Sequence, residues 1–231
     1  KYQQTDDYEF GKLGKVGIAF LIGDGSNSVT TPSGTKKIGG MSFGVDLRGE
    51  IWGTRNYWAG IELARSFGSY DQEEGSVQME SNSLSGSKFK LKAGYRYLPL
   101  GFFYGPQVDG YVGYANYGYG FDTSAQDNIT DVSFSGLLLG IKGSVPVEKL
   151  IRLKLKLDFI FNPSYDEEVQ TLGEEESSSN YHLEFGGEYQ YSPSMAIDGT
   201  IGHTSNEAEF GNSNTVSIKT TKIRAGVTFN Y

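Results

Sequence analysis

The sequence predicts an all-β fold: a closed antiparallel up-and-down transmembrane β-barrel of about ten strands. Three observations predict it. Apolar and polar residues alternate with period two in ten separate segments. The connections between them alternate short and long. Gly is abundant, at 32 copies, and Tyr, at 16, dominates the aromatics, which suits pleated strands and tight turns.

Four segments alternate strictly. Segment 40–51 sets Met41, Phe43, Val45, Leu47 and Ile51 against Ser42, Asp46, Arg48 and Glu50. Segment 87–97 sets Phe89, Leu91, Ala93, Tyr95 and Tyr97 against Lys88, Lys90, Lys92 and Arg96. Segment 150–161 sets Ile151, Leu153, Leu155, Leu157, Phe159 and Phe161 against Arg152, Lys154, Lys156 and Asp158. Segment 181–191 sets Tyr181, Leu183, Phe185, Tyr189 and Tyr191 against His182, Glu184, Glu188 and Gln190. Looser segments are 15–22, 56–67, 106–119, 132–145, 194–203 and 216–231. In 132–145, Leu137, Leu138 and Leu139 fall on both faces, which suggests a bulge.

Short connections are expected at Gly53-Thr54-Arg55, Pro99-Leu100-Gly101, Pro146-Val147-Glu148 and Ser192-Pro193. Long ones are expected at 23–39, 68–86, 120–131, 162–180 and 204–215. Four short turns and five long loops close ten strands with both termini on the short-turn side. Residues 1–14 are expected to form a short periplasmic segment, and 15–231 the barrel.

Composition removes several classes. There is no Cys, so no disulfide framework. No stretch approaches the ~18 apolar residues of a transmembrane helix. The N-terminus has no signal-peptide pattern. A net charge of −8 argues against a nucleic-acid partner. Nothing calls for a cofactor or a dedicated metal site.

Alternation alone leaves open which face meets lipid, since a soluble lipocalin-type barrel puts its apolar side inside. The polar face carries balanced charge: Arg48, Lys88, Lys90, Lys92, Arg96, Arg152, Lys154, Lys156, Lys222 and Arg224 against Asp46, Glu50, Glu62, Asp109, Asp158, Glu184, Glu188 and Asp198. Such a face can pair inside a lumen. Aromatics gather beside the short turns, at Trp52, Tyr57, Trp58, Tyr95, Tyr97, Phe102, Phe103, Tyr104, Tyr189, Tyr191 and Tyr231, as in an interfacial girdle.

The end of the chain, with Ile223, Ala225, Val227, Phe229 and Tyr231 on one face, resembles the terminal strand of Gram-negative outer-membrane barrel proteins. That resemblance implies a bacterial outer-membrane location, contact with membrane lipid and lipopolysaccharide, and a final strand read by the barrel-assembly machinery. Short turns are then periplasmic and long connections extracellular.

Function follows from the lumen and the loops. Ten strands make a narrow barrel, and buried charges are costly unless paired. The expected reading is an ion-pair plug and a structural or adhesive role, with a narrow ion or solute path as the alternative. Acidic loops carry Asp71, Glu73, Glu74 and Glu80; Asp122, Asp127 and Asp131; and Asp166, Glu167, Glu168, Glu174, Glu175 and Glu176. They offer carboxylates to divalent cations. His203-Thr204-Ser205-Asn206 is similar to a motif of the outer-membrane lipid A deacylases. The resemblance implies a His203–Ser205 base–nucleophile couple, with Asn206 aiding the oxyanion. That family's Glu would fall at Ser217 here, leaving Glu207 or Glu209 to substitute. An omptin-like protease needs an Asp–His couple, and no Asp sits beside His182 or His203 in sequence.

Overall fold

The computed structural model describes residues 12–74, 77–78, 82–103, 105–121, 131–167 and 172–231. Ten long strands form one closed barrel. They are β1 (Gly14–Thr31), β2 (Gly34–Trp52), β3 (Tyr57–Glu74), β4 (Asn82–Tyr97), β5 (Gln107–Phe121), β6 (Val132–Pro146), β7 (Ile151–Glu167), β8 (Glu175–Ser192), β9 (Met195–Phe210) and β10 (Asn214–Asn230). The two-residue strand Val77–Gln78 only extends the outer edge of β3. Each strand pairs antiparallel with its sequence neighbours, and β10 returns to β1. Closure leaves no free edge, so every strand can satisfy its backbone groups within the barrel.

Strands of 15 to 19 residues reach roughly 50–60 Å along the chain, where about 9–11 tilted residues cross a bilayer. The barrel therefore continues well past the membrane. This corrects the expectation of long loops at 23–39 and 204–215. Both are strand extensions, joined by tight turns at 32–33 and 211–213. The reason is visible on β1. Beyond Ile22 the outward residues are Asp24, Ser26, Ser28 and Thr30, while the inward ones are Gly25, Asn27 and Val29. The alternation persists, but its polarity contrast fades.

The two levels of the barrel pack oppositely. Near the short turns the outward face is apolar: Val16, Ile18, Phe20 and Ile22 on β1, Leu153, Leu155, Phe159 and Phe161 on β7, and Ile223 and Phe229 on β10 are all exposed. This belt is a lipid-facing surface. Toward the long end the apolar residues turn inward. Val29, Ile38, Phe121, Val132, Phe134, Leu172, Ala208, Phe210, Val216 and Ile218 form one buried cluster. Tyr165 joins it edge-on to both Phe134 and Phe210, at centroid distances of 5.1 and 5.2 Å. Burial, and the hydrogen bond its hydroxyl donates to the Glu167 carboxylate, push the Tyr165 pKa well above the ordinary phenol range.

The ambiguous segment 132–145 is regular in itself. Leu138 points inward, fully buried, while Leu137 and Leu139 point out. The register slips opposite it: Ser135 pairs with Ser164 but Leu137 with Phe161. The extra residue belongs to β7, where Asn162 takes a left-handed φ of 46°. Asn tolerates that conformation better than most residues, and the bulge swaps the inward face of β7 beyond it.

The aromatic girdle divides. Tyr57, Tyr95, Tyr97, Tyr189, Tyr191 and Tyr231 face outward beside the short turns. Trp58 and Phe103, expected among them, instead point into the lumen, 4% and 5% exposed. Trp58 lies on the even, inward parity of β3, across from Trp52. Phe103 folds back from the 98–106 turn onto Trp52, ring centroids 5.1 Å apart. Tyr104 lies outside the described residues.

Candidate functional site

The inward face of the belt is built by parity. Period two on β2 aims Asp46, Arg48 and Glu50 at the lumen; β4 aims Lys88, Lys90, Lys92 and Arg96; β7 aims Arg152, Lys154, Lys156 and Asp158. Closure brings these strands face to face, so charges far apart in sequence become partners.

Three clusters stack along the lumen. Nearest the short turns, Arg96 donates to Glu50 at 2.7 Å and to Asp109 at 2.9 Å. Lys142 lies 2.7 Å from Asp109, and the Trp52 indole donates to Glu50 at 2.6 Å. At mid-height, Glu62 accepts from Lys92 and from Lys156 at 2.8 Å. Beside it Arg48 forks onto Glu184, with both contacts at 2.9 Å, the two-point geometry that gives such pairs their specificity. The upper cluster centres on Asp158 and Asp46. Asp158 takes Lys90 at 2.5 Å and the Tyr111 hydroxyl. Asp46 takes Arg48 at 2.6 Å, Lys88 at 2.7 Å and Arg224 at 3.2 Å. Arg224 also bonds Asp198, and Lys154 bonds Glu188. Lys222 donates to the neutral Ser66 hydroxyl at 2.9 Å.

An aromatic wall fills the rest of this level: Trp58, Tyr111 and Tyr117 with Ala115, Leu138 and Ile160. Gly140 makes room for it, since a Cβ there would sit 2.2 Å from the Tyr111 ring. Lys92 and Lys142 lie over the Trp58 ring at 5.6 and 5.1 Å, a contact that also favours cations.

All eighteen charged residues that the sequence places on the polar face point inward. Sequence reasoning missed Lys15, which lies 3.6 Å from Glu50, and Lys142. Both have inward parity, but Lys15 opens its segment and Lys142 sits in the strand whose register was ambiguous. The polar residues His182 and Ser66 also belong here. His182 bonds Thr204 at 2.8 Å and Glu184 at 3.4 Å.

The His203–Ser205–Asn206 group is split. His203 and Ser205 share the outward face of β9, while Asn206 points inward, fully buried, and donates to the Tyr119 hydroxyl at 2.8 Å. The expectation that Asn206 works beside the other two is corrected by parity: adjacent strand residues face opposite ways. His203 shares a 3.0 Å hydrogen bond with Thr221. Ser205 lies nearest Glu207, at 3.5 Å, and Glu207 is also reached by Ser217 at 3.4 Å and Lys219 at 3.1 Å. Neither His has an Asp hydrogen-bond partner among the described residues.

The acidic loops are only partly visible. Glu80, Asp122, Asp127 and Glu168 lie outside the described residues, as do the side chains of Asp71, Glu73 and Glu74. Among the described residues no three His, Cys, Asp or Glu side chains are grouped to hold a metal ion. Asp131 instead accepts the Phe121 amide at 2.9 Å, and Glu175 the Tyr165 amide at 3.1 Å.

No protein-family model matches the chain, and no curated protein matches it. Solved structures do. The outer membrane protease OmpT from Escherichia coli superposes with a TM-score of 0.62 at 10% identity, covering 94% of this chain and 97% of that one. The outer membrane protein OprG from Pseudomonas aeruginosa gives 0.47 at 12% identity, covering 95% and 97%. The translocator domain of autotransporter NalP from Neisseria meningitidis gives 0.46 at 16%, covering 100% and 93%. At these identities the likeness is one of fold. The fold is that of the Gram-negative outer-membrane β-barrels.

Proposed function

We propose that this chain is a closed, non-conducting outer-membrane barrel with a structural or adhesive role, exerted by its extension above the membrane. One observation carries the reading: the lumen is filled twice over. Within the belt, Lys90, Asp46, Asp109 and Asp158 have no exposed surface at all. Above it, the apolar cluster around Phe134 and Phe210 occupies the bore. A hydrated ion would have to part paired charges and then cross a dry apolar core, each step costing several kcal/mol. What remains for the outside world is the outward face of the extension, polar on β1 and β10.

In this reading the belt sits in membrane lipid and lipopolysaccharide, and β10, with Ile223, Ala225, Val227 and Phe229 on its outward face, is the strand offered to the assembly machinery. A lipid-hydrolase reading gains little support from the geometry. Thr221 occupies His203, and the nearest carboxylate serves Ser205 and Lys219 rather than the imidazole.

Planar-bilayer recording of the purified protein tests the proposal. The expected result is silence across the voltage range. Stable unitary conductance that disappears in a variant narrowing the lumen would overturn it.

A further inference from the structure

One lumen cation stands apart from the carboxylates. Lys222, on the inward face of β10, reaches across the bore and donates to the Ser66 hydroxyl of β3 at 2.9 Å. Among the described residues no Asp or Glu oxygen lies within 4 Å of its ammonium. The charges that act on it are those of Lys88 and Asp46. Asp46 already accepts from Arg48, Lys88 and Arg224. An ammonium enclosed in the bore is costly unless a counter-charge meets it.

Lys222 borders a chamber. A space of ≈ 70 Å³ lies between the upper charge cluster and the dry core above it, room for roughly five water-sized positions at ~10–15 Å³ each. Inward glycines make that room. A Cβ at Gly86 would stand 2.6 Å from the Ser66 oxygen and 3.8 Å from the Lys222 ammonium, and one at Gly202 would stand 3.1 Å from the His182 ring. Four cations line the chamber, Arg48, Lys88, Lys222 and Arg224, against the single carboxylate of Glu184. Arg48 forks onto Glu184, Lys88 holds Asp46, and Arg224 holds Asp46 and Asp198. Of these four, Lys222 is the one left without an acid.

The neutral lining also has donors to spare. Tyr117 lines the chamber, 4% exposed, and its buried hydroxyl has no hydrogen-bond partner. Such a group forfeits its hydration with nothing in return. The Ser66 and Tyr119 hydroxyls accept from Lys222 and Asn206, and each keeps a proton that no acceptor among the described residues takes. The acceptors of the lining are engaged: Glu184 by Arg48, Thr204 by His182.

We propose that this chamber is a binding site for one monovalent anion of the halide class, held by the Lys222 ammonium and the Tyr117 hydroxyl. The size and the charge select it. One cation is unmatched, so a second negative charge on the ligand would go unmet. A halide only accepts, which suits a lining whose unused groups are all donors. The bound ion completes the plug and goes beyond the non-conducting reading. Conductance and anion-linked stability are separate measurements, so either reading can fail without the other.

Sodium chloride is the probe, with sodium gluconate, whose anion is too bulky for the chamber, holding the ionic strength constant. Each sample is folded into detergent in the anion mixture under test, and its urea-unfolding midpoint is measured. As chloride replaces gluconate, the midpoint is expected to rise and level off, as binding to the folded state requires. Lys222→Met should abolish the rise, and in gluconate it should unfold at higher urea than the parent, because the unmatched charge is gone. Tyr117→Phe should keep the rise but need about tenfold more chloride to reach half of it. The outward control Lys37→Gln should follow the parent. Each variant is first shown to be folded by its compact band on an unboiled gel. If Lys222→Met fails that check, Tyr117→Phe carries the comparison. A parent midpoint indifferent to chloride, or the parent's chloride dependence unchanged in the folded lumen variant, overturns the site.

Discussion

The belt and the extension are built by the same strands with the same period, yet they are inside out relative to each other. On β10 the outward residues run Thr215, Ser217, Lys219 and Thr221, then Ile223, Ala225, Val227 and Phe229. The inward ones run Asn214, Val216 and Ile218, then Lys222, Arg224 and Thr228. No kink or bulge marks the change on this strand. What changes is the solvent. Lipid rewards apolar side chains on the outside and pushes polar ones into the bore, where they survive only by pairing. Water does the reverse, and the extension packs like a soluble barrel. The difference teaches that parity fixes where a side chain points, while the surrounding phase fixes which side chain belongs there.

Substitutions can break that comparison, and the largest effects should lie inside. Asp158→Ala leaves the buried Lys90 without its carboxylate, while Lys156 keeps Glu62, a loss of about 3–5 kcal/mol by the usual cost of breaking a buried pair. Denaturant unfolding in detergent reads it, and the loss should shrink when Lys90→Met is added. Phe134→Ala, in the dry extension, should also cost about 3–5 kcal/mol. Limited proteolysis should show that damage confined to the extension, with the compact unboiled band retained. Leu155→Arg, outward in the belt, should cost about 2–4 kcal/mol near the bilayer midplane. The smallest effect belongs to Thr215→Arg, outward in the extension, which should stay within about 0.5 kcal/mol. A ranking in which Thr215→Arg rivals Leu155→Arg would erase the distinction between the two levels.

How much of this was legible before the structure differed between the same two regions. The belt strands read clearly because both faces speak: on β2, Phe43, Val45 and Leu47 against Asp46, Arg48 and Glu50 leaves one register open. The extension read as loop because Ser, Thr, Asn and Gly occupy both faces of β1 beyond Ile22, so no contrast marked a strand. The lumen network was legible from parity alone, but its pairings were not. They join β2 to β8 and β4 to β7 across the bore, and no local pattern encodes that distance. Lys142 escaped because the leucines at 137–139 hid the strand's parity, and the residue that causes the slip, Asn162, sits on the neighbouring strand. Trp58 and Phe103 were misplaced for a related reason. Proximity to a short turn suggested the interface, while parity for one and a back-folded turn for the other put them inside.

The exchange of faces along β10 is the claim on which the plug and the extension both depend. The chain has no Cys of its own, so single Cys substitutions from 215 to 229 can each carry one nitroxide label, with accessibility to oxygen and to a water-soluble relaxant measured in lipid bilayers. The account predicts high oxygen accessibility at 223, 225, 227 and 229, high water accessibility at 215, 217, 219 and 221, and protection from both at 216 and 218. Lipid exposure continuing unchanged to 215, or free water at 216 and 218, would contradict it.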